Sequence, residues 1–108
     1  MTKKQKAQNE AKQTLLEWLK PGDTVYTICD HVSRSGMSRN IRLILKPGTD
    51  EERHPNNAVA TLLGWPLRRG WHDSIRVSGC GMDMGFHLVY TLSHILFGDG
   101  YALKQRWL

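Results

Sequence analysis

A seven-residue segment in the first half of the chain, SRSGMSR at positions 33–39, has the composition of an anion-binding loop. It contains two guanidinium groups, three hydroxyl groups and one glycine. Arginine forks match phosphate oxygens in a bidentate arrangement, and serine hydroxyls with nearby backbone amides can satisfy the remaining oxygens. The alternative is a solvated hairpin tip. We predict phosphate binding by six residues of this segment: Ser33, Arg34, Ser35, Gly36, Ser38 and Arg39.

A second candidate anion site lies where Gly79, Gly81 and Gly85 separate a predicted strand from a predicted helix. A glycine turn before a helix N-terminus leaves backbone N–H groups free, and the helix dipole favours an anion there. The spacing G-x-G-x-x-x-G is one residue longer than the dinucleotide fingerprint, and no P-loop lysine follows. The glycines could instead serve only close packing. Because each segment is an incomplete anion site alone, we predict that SRSGMSR and the turn at 79–81 adjoin in one polar pocket.

Titratable side chains suggest an alternative, catalytic reading of the sequence. The residues concerned are Asp30, His31, Asp83 and His87. Asp83 and His87 are one helical turn apart, and a His–Asp pair can act as general acid and base. Zinc is not expected, because no C-x-x-C or H-x-x-x-H pair accompanies them. We expect Cys29 and Cys80 to be reduced, with no metal and no cofactor, and we favour a binding protein over an enzyme.

Tryptophan and arginine are interleaved in the segment WPLRRGWHD at positions 65–73, which is expected to be irregular. Trp65 or Trp71 could stack on a base while Arg68 or Arg69 holds phosphate. For Trp65, which precedes a proline, we favour a place in the core.

Composition limits the class of protein. The chain has 108 residues, 40% of them hydrophobic, which suits one globular domain with a single modest core. Its net charge is +5, and positions 1–20 supply +3 of it through five lysines and two glutamates. This charge favours an acidic partner, although a solvated lysine face is the alternative. No apolar run is long enough for a membrane span or a signal peptide, so we expect no membrane partner and a cytoplasmic location.

Periodicity and turn residues predict the elements that would position these sites. We expect an amphipathic helix from about Asn9 to the Pro21-Gly22 stop, strands at 24–32 and 40–46 paired as an antiparallel hairpin, and a helix capped by asparagine near position 56 that ends at Gly64. A third strand is expected at 74–77, then a helix over 84–97 with Asp83 as N-cap and Gly98 at its left-handed end, and a short edge strand at 101–103.

These elements define a small single α+β domain, in which an antiparallel hairpin and a third strand are packed by about three helices. Positions 1–22 form a basic amphipathic helix, and positions 23–108 form the α+β body.

Four strings in the chain resemble a family of small proteins carried by tailed bacteriophages and prophages. They are HVSRSGMSR (31–39), GCGMDMGFHLVY (79–90), FGDGYAL (97–103) and RWL (106–108). The resemblance runs from about Tyr26 onward and leaves the N-terminal helix outside. It implies a phage origin and a bacterial host cytoplasm, but no activity.

Small accessory phage proteins often counter bacterial defences. We therefore expect a phage accessory protein that binds a nucleotide signal or nucleic acid in order to counter host antiviral defence. One alternative is a small hydrolase or metal-dependent enzyme that uses the His/Asp residues. Another is a protein–protein inhibitor that docks exposed tryptophans and its basic loop onto a host defence enzyme. Homo-oligomerisation is left open.

Overall fold

The secondary structure alternates between helices and strands along the chain. The computed structural model describes residues 1–46, 55–69, 73–78 and 83–108, which contain three helices and five strands. In chain order they are α1 (Lys3–Trp18), β1 (Thr24–Val32), β2 (Ser38–Ile44), α2 (Asn56–Leu63), β3 (Leu67–Arg68), β4 (Ser74–Ser78), α3 (Met84–Phe97) and β5 (Lys104–Trp107). The predicted α+β class is confirmed.

Helix α1 starts earlier than Asn9, the residue at which its apolar pattern begins. The reason is a capping box: the Thr2 hydroxyl accepts from the Gln5 N–H, and the Gln5 side chain accepts from the Thr2 N–H, each at 3.1 Å. The helix contributes Ala11 and Leu15 to the same hydrophobic core as the rest of the domain.

The predicted hairpin is the centre of a five-stranded mixed sheet with strand order β3-β4-β2-β1-β5. Strands β1 and β2 pair antiparallel, with an irregularity in register between Cys29 and His31. The predicted third strand, β4, pairs antiparallel with β2. Strand β3 was not predicted: it lies in the segment expected to be irregular and pairs with β4. The edge strand, β5, pairs parallel with β1.

One face of this sheet packs against the helices. Ile41 and Leu43 of β2 share that face with their cross-strand neighbours Ile75 and Thr27, and all four are fully buried. Helix α3 approaches it so closely that a Cβ at Gly85 would lie 2.9 Å from the Thr27 hydroxyl oxygen. Gly85 therefore allows close packing of helix on sheet, the alternative role considered for the glycines.

Of the two predicted N-caps, the asparagine of α2 is wrong, and Asp83 of α3 is confirmed in position. Pro55 occupies the N-cap position of α2, while the buried Asn56 side chain bonds to the backbone of β2: its Oδ1 accepts from the Leu43 N–H (2.9 Å) and its Nδ2 donates to the Leu43 carbonyl (3.1 Å). Asp83 stands at the N-cap position of α3 but makes no capping hydrogen bond. In both cases a side chain that could cap the helix bonds to a different partner.

The predicted edge strand at 101–103 is also wrong, because the backbone N–H groups there are held in a turn. The Tyr101 N–H donates to the Asp99 carboxylate and the Leu103 N–H donates to the buried Ser93 hydroxyl, both at 2.9 Å. The strand begins one residue later, at Lys104. The left-handed Gly98 at the end of α3 is confirmed, with φ of 73°.

Candidate phosphate-binding site

The hairpin connection between β1 and β2 is held in shape by its own serines. The Ser33 N–H donates to the Ser38 carbonyl (2.9 Å), and the Ser33 Oγ accepts from the Ser38 N–H (3.2 Å). The Ser35 Oγ accepts from the Met37 N–H (3.3 Å) and is hydrogen-bonded to the Ser33 Oγ (3.2 Å). Gly36 turns the chain with φ of 73°. The hydroxyls of Ser33 and Ser35 are therefore engaged within the loop, and the arginines are its free cationic groups.

Arg34 and Arg39 differ in their surroundings. Arg34 is exposed and has no hydrogen bond or ion pair with a residue in the described ranges. Arg39 is half-buried, and its Nε is buried without a hydrogen-bond partner in the described part of the chain. A buried N–H without a partner costs free energy that a ligand oxygen would recover. Arg34 is thus open to an anion at the surface, whereas the Arg39 N–H without a described partner lies below the surface.

The second half of the loop adjoins the end of β4. Ser38 pairs in register with Ser78, the last described residue before positions 79–82. On the same face, the Arg76 Nη2 donates to the Ser38 Oγ at 3.4 Å. The Arg76 guanidinium, absent from the sequence-based site, thus lies beside Ser38, whereas Arg39 pairs with Val77 and lies on the opposite face of the sheet. Gly79 and Gly81, predicted as ligand-binding, lie outside the described residues, so their adjacency to the loop stays a prediction.

A cavity of about 290 Å³ opens beside this end of β4. It lies between β4, the segment at 65–66 and the N-terminal half of α3. Its lining residues are Trp65, Pro66, Arg76, Val77, Ser78, Met84, His87 and Thr91. The volume is at the lower end of the range for small-molecule sites. Trp65, Val77 and Met84 give the cavity apolar walls, and His87 and Thr91 of α3 add polar groups, so the cavity suits a ligand with one flat apolar part and one polar part.

Trp65 belongs both to this cavity and to the edge of the core. Its side chain is half-buried and packs against the hydrophobic cluster, so the expected core role is present together with an unpredicted lining role. Arg68 and Arg69 are exposed, and Trp71 lies outside the described residues.

Among the four residues of the catalytic alternative, all of which the structure describes, only Asp83 and His87 pair with each other. The His87 Nε2 lies 3.0 Å from the Asp83 Oδ2 across one turn of α3, and both side chains are more than half exposed. Asp30 pairs instead with the Arg42 Nε at 3.4 Å. His31 is exposed. No group of three or more His, Cys, Asp or Glu residues placed to hold a metal occurs within the described ranges.

Comparison of the chain with protein-family models, with curated proteins and with solved structures finds no match. In the described part of the chain, no helix is long and apolar enough to cross a membrane. The function must therefore be inferred from the geometry of the site.

Proposed function

We propose that this chain is a phage accessory protein that binds a nucleotide at the cavity beside β4 and the loop 33–37, and thereby counters a host defence that uses nucleotide signals. The observation that carries the proposal is the position of Arg39 in the SRSGMSR segment. Its cross-strand neighbour is Val77, which lines the cavity, so both residues lie on the sheet face that packs against the helices. The cationic segment therefore adjoins the cavity at the end of β4.

The two parts of the site suit the two parts of a nucleotide. The base packs on the apolar wall that includes Trp65 and Met84, since aromatic side chains stack on bases with little regard to sequence. The phosphate lies toward Arg39, whose cross-strand neighbour Val77 lines the cavity. A phosphate oxygen would supply the acceptor that the buried Arg39 Nε lacks in the described part of the chain.

The cavity volume favours a small ligand over a polymer. At about 290 Å³ it accommodates a ligand of mononucleotide size, whereas a nucleic-acid strand would need a groove that runs across the surface. The net charge of +5 supports an anionic ligand. The resemblance to phage proteins, and the bacterial cytoplasm that it implies, supplies the biological setting.

The test is calorimetric titration with adenosine and guanosine 5′-monophosphates and with the uncharged nucleosides as controls. The nucleotides should bind more tightly than the nucleosides. Arg39→Ala should weaken nucleotide binding by about 10- to 150-fold, the value of a charge-assisted hydrogen bond, and Arg39→Lys should restore only part of it.

Arg34→Ala should weaken nucleotide binding in the same direction. Arg106→Ala, which removes an equal charge from β5, is the matched control and should leave it unchanged. Equal binding by wild type and a folded Arg39→Ala protein would contradict the proposal. A labelled oligothymidylate that binds more tightly than either mononucleotide would show that the ligand is nucleic acid.

A hydrolase is the second candidate, and the Asp83–His87 pair supports it. His87 lines the cavity and Asp83 is within hydrogen-bonding distance of it, so the imidazole could act as a general base on a bound nucleotide. Chromatography of nucleotides after incubation would detect turnover, which His87→Ala and Asp83→Asn should each reduce. Nucleotides recovered intact would leave binding alone.

A further inference from the structure

Strand β5 forms one edge of the sheet. Among the described strands it pairs only with β1. It carries no proline, no acidic residue and no glycine that would obstruct the approach of another strand.

The parallel register fixes which backbone groups of β5 remain free. In a parallel pair, every second residue directs both its N–H and its C=O toward the neighbouring strand. The Lys104 N–H donates to Asp23 and the Leu108 N–H to Thr27, at 2.9 and 3.0 Å. The residues in alternate positions, Gln105 and Trp107, therefore direct their N–H and C=O groups away from the sheet, where a further strand would take them up.

The two faces of β5 differ in chemistry. Lys104 and Arg106 lie on one face and are exposed. Gln105 and Trp107 lie on the face toward α3, where the Gln105 Nε2 donates to the Thr27 hydroxyl at 2.7 Å. An incoming strand would thus meet two cations on one side and an aromatic side chain on the other.

An exposed aromatic cluster flanks the apolar side of this edge. Phe86, Tyr90 and Tyr101 have ring centroids 5.3–6.5 Å apart. Tyr101 is 72% exposed, and Trp107 of β5 is 44% exposed. Adjacent exposed apolar side chains of this kind typically mark an interaction surface.

We propose that the free edge of β5 binds an extended acidic peptide segment of a partner protein as a sixth strand of the sheet. Main-chain hydrogen bonds to Gln105 and Trp107 hold the segment. Acidic side chains at every second position meet Lys104 and Arg106, and the apolar side chains between them pack toward Trp107. This surface is independent of the nucleotide proposed for the cavity.

Charge complementarity selects an acidic partner over a second copy of this chain. In an antiparallel pair of two β5 strands, Arg106 would lie opposite Arg106 or Lys104 of the other copy, and like charges directly opposite are destabilising. The net charge of +5 adds further repulsion between copies.

The test measures binding of a fluorescein-labelled peptide of alternating glutamate and valine, about eight residues long, to the full chain. Three comparison peptides isolate the contributions: a lysine–valine peptide of equal length, a scrambled peptide of the same composition, and the glutamate–valine peptide N-methylated along one edge. The unmodified acidic peptide should bind, and each comparison peptide should bind at least about tenfold more weakly.

Variants of β5 provide the second arm. Gln105→Pro removes the outward N–H and should reduce peptide binding by about tenfold or more. Gln105→Ala keeps that N–H, loses the same side-chain bond to Thr27, and should retain most of the binding. Arg106→Glu should weaken binding of the acidic peptide and strengthen binding of the lysine peptide. Arg76→Ala should change none of these affinities.

Several results would overturn the proposal. Equal affinities for the unmodified and the N-methylated acidic peptide would exclude strand addition, and this comparison does not depend on whether Gln105→Pro folds. Equal affinities for acidic and basic peptides would exclude the partner chemistry. A dimer in sedimentation that Arg106→Ala strengthens would show that a second copy occupies this edge.

Discussion

The Asn56 side chain hydrogen-bonds to the backbone of β2 where a neighbouring strand would otherwise bond. Its replacement should be among the most destabilising polar substitutions in the chain. Strand β4 pairs with β2 only up to Ile41, so the backbone of Leu43 receives its hydrogen bonds from the Asn56 amide instead. Both residues are almost fully buried. Asn56→Ala therefore leaves a buried N–H and a buried C=O without partners.

Each unsatisfied group costs about 1–3 kcal/mol. With allowance for partial hydration of the space left by the side chain, we expect Asn56→Ala to lower the free energy of unfolding by about 2–4 kcal/mol and the melting temperature by roughly 10–20 °C. Asn56→Asp should cost more, because a buried carboxylate keeps the acceptor for the Leu43 N–H but faces the Leu43 carbonyl as a second acceptor.

Urea titration and calorimetry measure both quantities. The matched control is the neighbouring Asn57, which is exposed and bonds only to the Ala58 N–H within the described residues. Asn57→Ala should change the unfolding free energy by at most about 0.5 kcal/mol. The reasoning would be refuted if Asn56→Ala and Asn57→Ala were equally stable, or if Asn56→Asp were the milder of the two changes at position 56.

Two further substitutions have opposite expected effects on stability. Arg39→Met removes the buried Nε that lacks a partner in the described part of the chain. It should therefore leave the free energy of unfolding unchanged or raise it by up to about 1 kcal/mol, while it weakens nucleotide binding. A destabilised protein would show that the arginine is structural. Gly85→Ala should lower the free energy of unfolding by about 1–2 kcal/mol. The new Cβ would lie 2.8 Å from the Trp107 ring and 2.9 Å from the Thr27 hydroxyl. The cost of this overlap exceeds the gain of about 1 kcal/mol in helix propensity. In a double-mutant cycle followed by urea unfolding, Trp107→Ala should cost less in the Gly85→Ala background than in wild type, and strict additivity would contradict this explanation.

Local signals in the sequence predicted the hairpin, three helices and the strand β4. They failed where a tertiary contact decided the outcome. Asn56 and Asp83 both have side chains that can cap helices, yet one bonds to a strand and the other pairs with His87. Strand β5 has the sequence KQRW, without β-branched residues, and it is a strand because β1 and α3 place it there.

The candidate site was predictable in its chemistry but not in its shape. The composition of SRSGMSR indicated cationic groups, but it could not show that two of its serines bond to the loop backbone. Arg39 adjoins the cavity because β2 pairs it with Val77 of β4, and Trp65, far from Arg39 in sequence, joins the lining through tertiary packing. The residues of this site are brought together by the register of the strands and by the packing of α3 on the sheet, and no local sequence pattern encodes either.

The parallel pairing of β1 with β5 has a consequence for the order of folding. The Thr27 hydroxyl bonds to the Arg106 carbonyl across 79 positions of sequence. Such a contact forms only after a long loop has closed, whereas the hairpin of β1 and β2 closes over a few residues. On a ribosome, β1 can pair with β2 long before β5, its neighbour on the other side, has been synthesised. The attachment of β5 should therefore be a late event, and until it occurs β1 itself is the exposed edge through which nascent chains could associate.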